Sequence, residues 1–163
     1  MSTRPLRVLY LGGTGTISAS CARSAVAQGM DVAVLNRGRS LLRPLPPEVT
    51  RLTGNVRDPV SLRAAIEGRN FDVVVNFLAY TANDAREAVE AFRARTAHYL
   101  HISTAQLYQK PPRRMPYSES TPRRNPFSTY ARDKIAAEDV LTEATSRSRS
   151  RSRSFGHLTP TTR

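Results

Sequence analysis

Residues 7–18 read Arg-Val-Leu-Tyr-Leu-Gly-Gly-Thr-Gly-Thr-Ile-Ser, and this stretch leaves the chain few architectures. Residues 8–11 are all β-compatible, so 7–11 predicts a short buried strand. Gly12, Gly13 and Gly15 end it at once. Ile17, Cys21, Ala25 and Gln28 then recur at helical spacing and predict a helix over 17–28, with Cys21 on its buried face. A glycine turn between a strand and a helix allows a sharp reversal. Without side chains, it also lets a pyrophosphate reach backbone N–H groups at the helix N-terminus. The G-x-G-x-x-G spacing falls on Gly13, Gly15 and Ser18, with a small serine in the slot that serves close helix–strand packing. A tight strand–helix turn that binds nothing is the competing reading of these residues alone.

Residues 31–35, Asp-Val-Ala-Val-Leu, predict a second strand and complete a βαβ unit of the size a parallel pair needs. Asn36, Arg37, Gly38 and Arg39 follow. A site that prefers NAD usually places Asp or Glu here to hold the ribose 2′-hydroxyl. This chain has guanidinium groups instead, which would pair with a 2′-phosphate. The expected cofactor is therefore NADP, with NAD as the other candidate. Solvated loop arginines remain the alternative reading.

Three prolines make 41–48 a loop, and a third strand is predicted at 49–52. Gly-Asn-Val-Arg-Asp at 54–58 is a turn, and Pro59 opens a helix to about 68. Residues 71–76 contain three consecutive valines and predict a central strand buried on both faces. Residues 77–81 then form the loop at its carboxyl end, where ligands bind in such sheets. A helix capped by Asn83 follows, then a fifth strand at 98–102 ending in Ser103 and Thr104. His98 and His101 would project to opposite faces of that strand, which makes no metal pair. Residues 108–121 are a proline-rich loop, and Asn125-Pro126 predicts the start of a helix to about 145. The fold class expected is α/β, a Rossmann-like doubly wound parallel sheet of about five strands.

The net charge of +12 is partly a tail property. Residues 147–163 carry five arginines and no acid, and without them 20 basic residues face 13 acidic ones. No nucleic-acid motif accompanies the charge, so nucleic acid is not an expected partner. From Ser146 to Ser154 arginine and serine alternate, a composition that buries no core. Residues 1–145 are therefore expected to form one NAD(P)-binding domain and 146–163 a disordered basic tail. No apolar run approaches a membrane span, and a single cysteine allows no internal disulfide, so the expected location is the cytoplasm.

Tyr130 and Lys134 stand one helical turn apart, on one face. A phenol is a poor acid–base at neutral pH until a nearby ammonium favours its phenolate. Such a pair can move a proton at a carbonyl or alcohol oxygen while a nicotinamide moves hydride. Thr104 could hold the same oxygen.

These motifs together resemble the NAD-dependent epimerase/dehydratases, the extended or atypical branch of the short-chain dehydrogenase/reductase superfamily. The matching residues are 12–18, 34–38, 54–58, 73–80, 101–108 and 130–134, over about residues 6–144. The resemblance implies Tyr130 as acid–base, Lys134 as its tuning partner and ribose ligand, and Thr104 as the hydroxyl. It implies a dinucleotide held by Gly12, Gly13, Thr14, Gly15, Thr16, Ile17, Asn36, Arg37, Asn55, Val56, Leu78, Ala79 and Tyr80, besides Tyr130 and Lys134. Asn55 stands where the family has an adenine-contacting aspartate, and Ser18 replaces the third glycine. The implied substrate is a sugar nucleotide or another carbonyl or alcohol compound. A non-catalytic dinucleotide-binding or sensing domain is the alternative. Family members continue with a sixth and a seventh strand, so the chain is expected to be a C-terminally truncated form. Its fifth strand would be a bare edge open to a second copy. The substrate pocket would lack its far wall, which leaves catalysis by the 163-residue form open.

Overall fold

The computed structural model describes residues 4–38 and 43–154, with side chains as far as Arg147. In chain order the elements are β1 (Arg7–Leu11), α1 (Thr16–Ala27), β2 (Asp31–Asn36), β3 (Thr50–Thr53), α2 (Pro59–Ala65), β4 (Phe71–Asn76), α3 (Ala82–Phe92), β5 (Thr96–His101), a 3₁₀ turn (Ala105–Leu107) and α4 (Thr129–Ser154). The five strands form one parallel sheet in the order β3-β2-β1-β4-β5. The order reverses between β1 and β4, which makes the gap beyond their carboxyl ends the switch point of a doubly wound sheet.

The described residues fall into two compact units. One holds 4–79 and 90–103, the other 80–89 and 104–154. The core of the first follows from strand periodicity. Val8, Tyr10, Val32, Val34 and Val75 join one cluster with Ala19, Ala22 and Ala25 of α1. Their alternates Leu9, Leu11 and Leu35 are also fully buried, so β1 and β2 are covered on both faces. Alanines on the inner stripe of α1 bring that helix close to the sheet. At the amino ends of β1 and β4, Asp72 accepts from both guanidinium nitrogens of Arg4 (2.8 and 2.7 Å) and from the Arg7 N–H (2.8 Å). Those arginines hold the Asp72 carboxyl well below the usual carboxylate range.

The structure moves several expected boundaries. The buried stripe of α1 is Ser18, Ala19, Ala22 and Ala25, while Ile17 is 66% exposed and Cys21 only half-buried. β3 and β5 shift by one or two residues, and α2 stops at Ala65. α3 is capped by Thr81 and Asp84, not Asn83. Thr81 Oγ1 accepts from the Asp84 N–H (3.2 Å), and Asp84 Oδ2 accepts from the Thr81 N–H (2.9 Å). Asn125 does not start α4. Its Nδ2 donates to the Gln106 carbonyl (2.7 Å) and its Oδ1 accepts from the Phe127 N–H (3.2 Å). The helix begins at Thr129, with Ser128 Oγ accepting from the Ala131 N–H (3.2 Å).

The segment expected to be disordered from 146 is helical as far as Ser154. Arginine is a good helix former, and Arg147 pairs with Glu143 one turn earlier (2.6 Å). The Thr145 and Ser146 hydroxyls donate to the carbonyls of Leu141 and Thr142 (2.9 and 3.0 Å). Arg39 and residues 155–163 lie outside the described residues. Among the described strands β5 is an edge, and its Leu100 is 51% exposed.

Candidate functional site

The first unit contains a cradle made of backbone. β1 ends at Leu11, and the Gly12 N–H donates to the Leu35 carbonyl (2.9 Å). Gly12 then takes φ +84°, a left-handed conformation that favours glycine, and a β-carbon there would lie 2.8 Å from Leu78 Cγ of the loop after β4. A β-carbon at Gly13 would lie 2.3 Å from Val34 Cγ1, inside a core position, so only glycine fits. Gly15 is the N-cap of α1, and the first turn carries no acid. Its N–H donates to Ser18 Oγ (3.0 Å), while Ser18 is buried against the sheet. Serine in the third slot therefore both packs closely and ties down the turn. Gly15, Thr16 and Ile17 stay exposed at the helix start, and Thr14 is half-buried. A bare turn at the switch point, leading to free N–H groups of a first helical turn, fits a pyrophosphate.

The other implied cofactor positions in this unit line the carboxyl ends of their strands. Asn36 Oδ1 accepts from the Gly38 N–H (2.7 Å), an Asx turn that turns the chain out after β2. Arg37 at its centre is exposed and forms no ion pair among the described residues. Asn55 Oδ1 accepts from the Arg57 N–H (3.2 Å) and its own N–H donates to Ser61 Oγ (2.9 Å). Its amide NH₂ remains a donor beside half-buried Val56. Leu78 and Ala79 are set by Asn76, a polar side chain only 1% exposed. Asn76 Oδ1 accepts from both of their N–H groups (2.7 and 3.0 Å), and its Nδ2 donates to the Tyr99 hydroxyl (2.8 Å).

The second unit gathers side chains. Tyr130 in the first turn of α4 is 41% exposed, while Lys134, one turn on, is 1% exposed. Tyr80 neighbours both. Its ring centroid is 6.1 Å from that of Tyr130, and Lys134 Nζ lies 5.7 Å over the Tyr80 ring. Burial pushes the Lys134 ammonium below its ordinary pKa, while the Glu138 and Asp84 carboxylates oppose that shift. Thr104 Oγ1 accepts from the Gln106 N–H (3.3 Å) and caps the 3₁₀ turn that packs on α4. Its hydroxyl proton is left to donate.

The structure thus brings Tyr80, Tyr130 and Lys134 together, and places Thr104 in the same unit without a described hydrogen bond to Tyr130. Sequence reasoning missed Asp84 and Asn76. The Thr-x-x-Asp spacing of 81–84 is a capping-box signal that points to the first. Nothing in the sequence marks Asn76, whose role depends on the register of β4 against β5.

A family model described as NAD(P)H-binding matches residues 12–147. The chain is 31% identical over 157 residues to a dTDP-6-deoxy-L-talose 4-dehydrogenase (NAD(P)+) of Kitasatospora kifunensis, covering 87% of this chain and 48% of that protein. It is 24% identical over 153 residues to a UDP-glucose 4-epimerase of Lactobacillus helveticus, covering 83% and 46%. The chain therefore spans about half the length of these relatives. Its fold matches that of the Bordetella bronchiseptica enzyme WbmH, solved in complex with NAD+, at a TM-score of 0.69 and 21% identity over 86% of this chain and 53% of that one.

Proposed function

Because the chain belongs to the NAD(P)H-binding family, in keeping with the resemblance of its motifs to the epimerase/dehydratases, we propose that it binds NADP(H) and carries acid–base groups for a reaction on a nucleotide-activated sugar. The glycine turn takes the pyrophosphate, Arg37 the 2′-phosphate, and Asn55 the adenine edge. The loop that Asn76 fixes closes on the dinucleotide from the β4 side. When bound, the nicotinamide supplies or accepts hydride.

The rest is the work of this chain. Tyr130 stands exposed where a sugar hydroxyl or carbonyl oxygen can reach it, and takes or gives the proton at that oxygen. Lys134, one helical turn on, contributes a buried positive charge. Thr104 donates a hydrogen bond to the same oxygen. The observation that carries this reading is the pairing of an exposed tyrosine with a lysine only 1% exposed one helical turn later. Burying a lysine is costly unless its charge is used or matched. The similarity of the chain to two enzymes of nucleotide sugars supports the substrate class.

The test is turnover of UDP- and dTDP-sugars with NADP+ or NAD+, read by nicotinamide absorbance and product analysis. Tyr130→Phe is expected to lower the rate by about 10²–10⁴ while NADPH binding persists. Undiminished turnover in that variant would overturn the acid–base assignment.

A further inference from the structure

Asp84 does more than a helix cap requires. In the reciprocal cap of α3 its carboxylate need only accept from the Thr81 N–H. It also accepts from the N–H of Tyr80, both at 2.9 Å. The Tyr80 ring is the one that lies against Tyr130 and under Lys134. One carboxylate thus fixes the backbone of the residue that touches both members of the pair.

Charge points the same way. Two carboxylates act on the buried Lys134, those of Glu138 and Asp84, and one phenol ring neighbours it, that of Tyr80, which in turn lies against Tyr130. Glu138 already accepts from Arg123 (2.8 Å), which forks between it and Asp139 (2.8 Å). Asp84 forms no ion pair among the described residues. Its charge, unlike that of Glu138, is not shared with an arginine.

We infer that Asp84 is a positioning residue of the candidate acid–base pair, fixing Tyr80 against Tyr130 and Lys134 and supplying the countercharge for the buried ammonium. The inference rests on the proposed role of that pair, but its test does not use turnover. Lys110 and Lys134 are the only lysines in the sequence, so ¹³Cε-lysine labelling yields two signals, assigned with Lys110→Arg. Each is followed through a pH titration of the full chain.

Asp84→Asn keeps an oxygen acceptor for both N–H groups and removes only the charge. The Lys134 midpoint is expected to fall by about one pH unit, and to fall in Glu138→Gln as well, since both carboxylates act on the lysine. Should Asp84→Asn fail to fold, Asp84→Ser keeps a capping oxygen and carries the same expectation. A midpoint that stays in place in Asp84→Asn would show Asp84 to be a cap alone and overturn the inference. Loss of the catalytic reading in turnover assays would leave this titration result standing, so the two failures are distinguishable.

Discussion

After β1 the turn is built from backbone, with the Ser18 hydroxyl tying it down. Gly12, Gly13 and Gly15 work by what they lack, and the groups offered to a ligand are peptide N–H groups. In the second unit every useful atom belongs to a side chain, and its placement depends on partners far along the sequence. Tyr80 precedes α3, Tyr130 and Lys134 lie on α4, and Asp84 joins them through a cap. The contrast teaches where each region is vulnerable. A backbone cradle fails when an atom is added, and a side-chain cluster fails when a charge or a ring is taken away.

Adding an atom is expected to have the largest effect. Gly13→Ala puts a β-carbon 2.3 Å from a side chain that is completely buried. Overpacking of this kind costs about 1–3 kcal/mol of stability. NADPH affinity should fall with it, since the turn must shift. Thermal unfolding with and without NADPH measures both. A Gly13→Ala chain that binds as tightly as the parent would break the comparison.

Taking a charge away from the cluster should act in the opposite direction on stability. Lys134→Met relieves the burial of an ammonium and is expected to raise stability by about 1 kcal/mol. The sign of the pH dependence sharpens the point. Burial lowers the folded-state pKa of Lys134, so the unfolded state binds more protons between the folded and ordinary values. The parent should gain stability as pH rises through that window, and Lys134→Met should lack this part of the gain. Denaturant titrations at several pH values test it. Equal pH slopes for the two chains would contradict the burial assigned to Lys134.

The smallest effect lies away from both regions and serves as a reference. Asp72 is held below the usual carboxylate range, so its contribution is present above the unfolded carboxylate pKa and is lost as pH falls through the folded one. Asp72→Asn should be slightly less stable than the parent at neutral pH and indistinguishable from it in strong acid. A difference that persists in acid would assign the effect to geometry instead of charge.

Much of the first unit was legible because it is local. The strand–glycine–helix order, the valine strand at 71–76 and the arginine after β2 are each contiguous. Their parallel pairing follows from the lengths of the crossovers. The inner stripe of α1 was misread because its buried residues are alanines and a serine, which carry little hydrophobic signal beside Ile17. That isoleucine stays exposed at the mouth of the turn. The second unit was legible only as a list of residue types. Tyr130 and Lys134 share a face by spacing alone, but nothing local says that one is exposed and the other buried. Asn125 looked like a helix cap because Pro126 follows it, yet it is used to hold the Gln106 carbonyl. Beyond 145 composition argues for disorder, while the helix propensity of arginine and the Glu143–Arg147 pair favour the helix that runs on to Ser154.

The central claim is that the backbone cradle after β1 holds a dinucleotide and that Arg37 selects its 2′-phosphate. Calorimetric titration of the chain with NADPH and with NADH, repeated on Arg37→Ala, tests it most directly. The account predicts NADPH binding at least about tenfold tighter than NADH, a difference near 1.4 kcal/mol, and loss of that difference in Arg37→Ala with NADH affinity unchanged. A folded chain that binds neither nucleotide, or one whose preference survives Arg37→Ala, would contradict it.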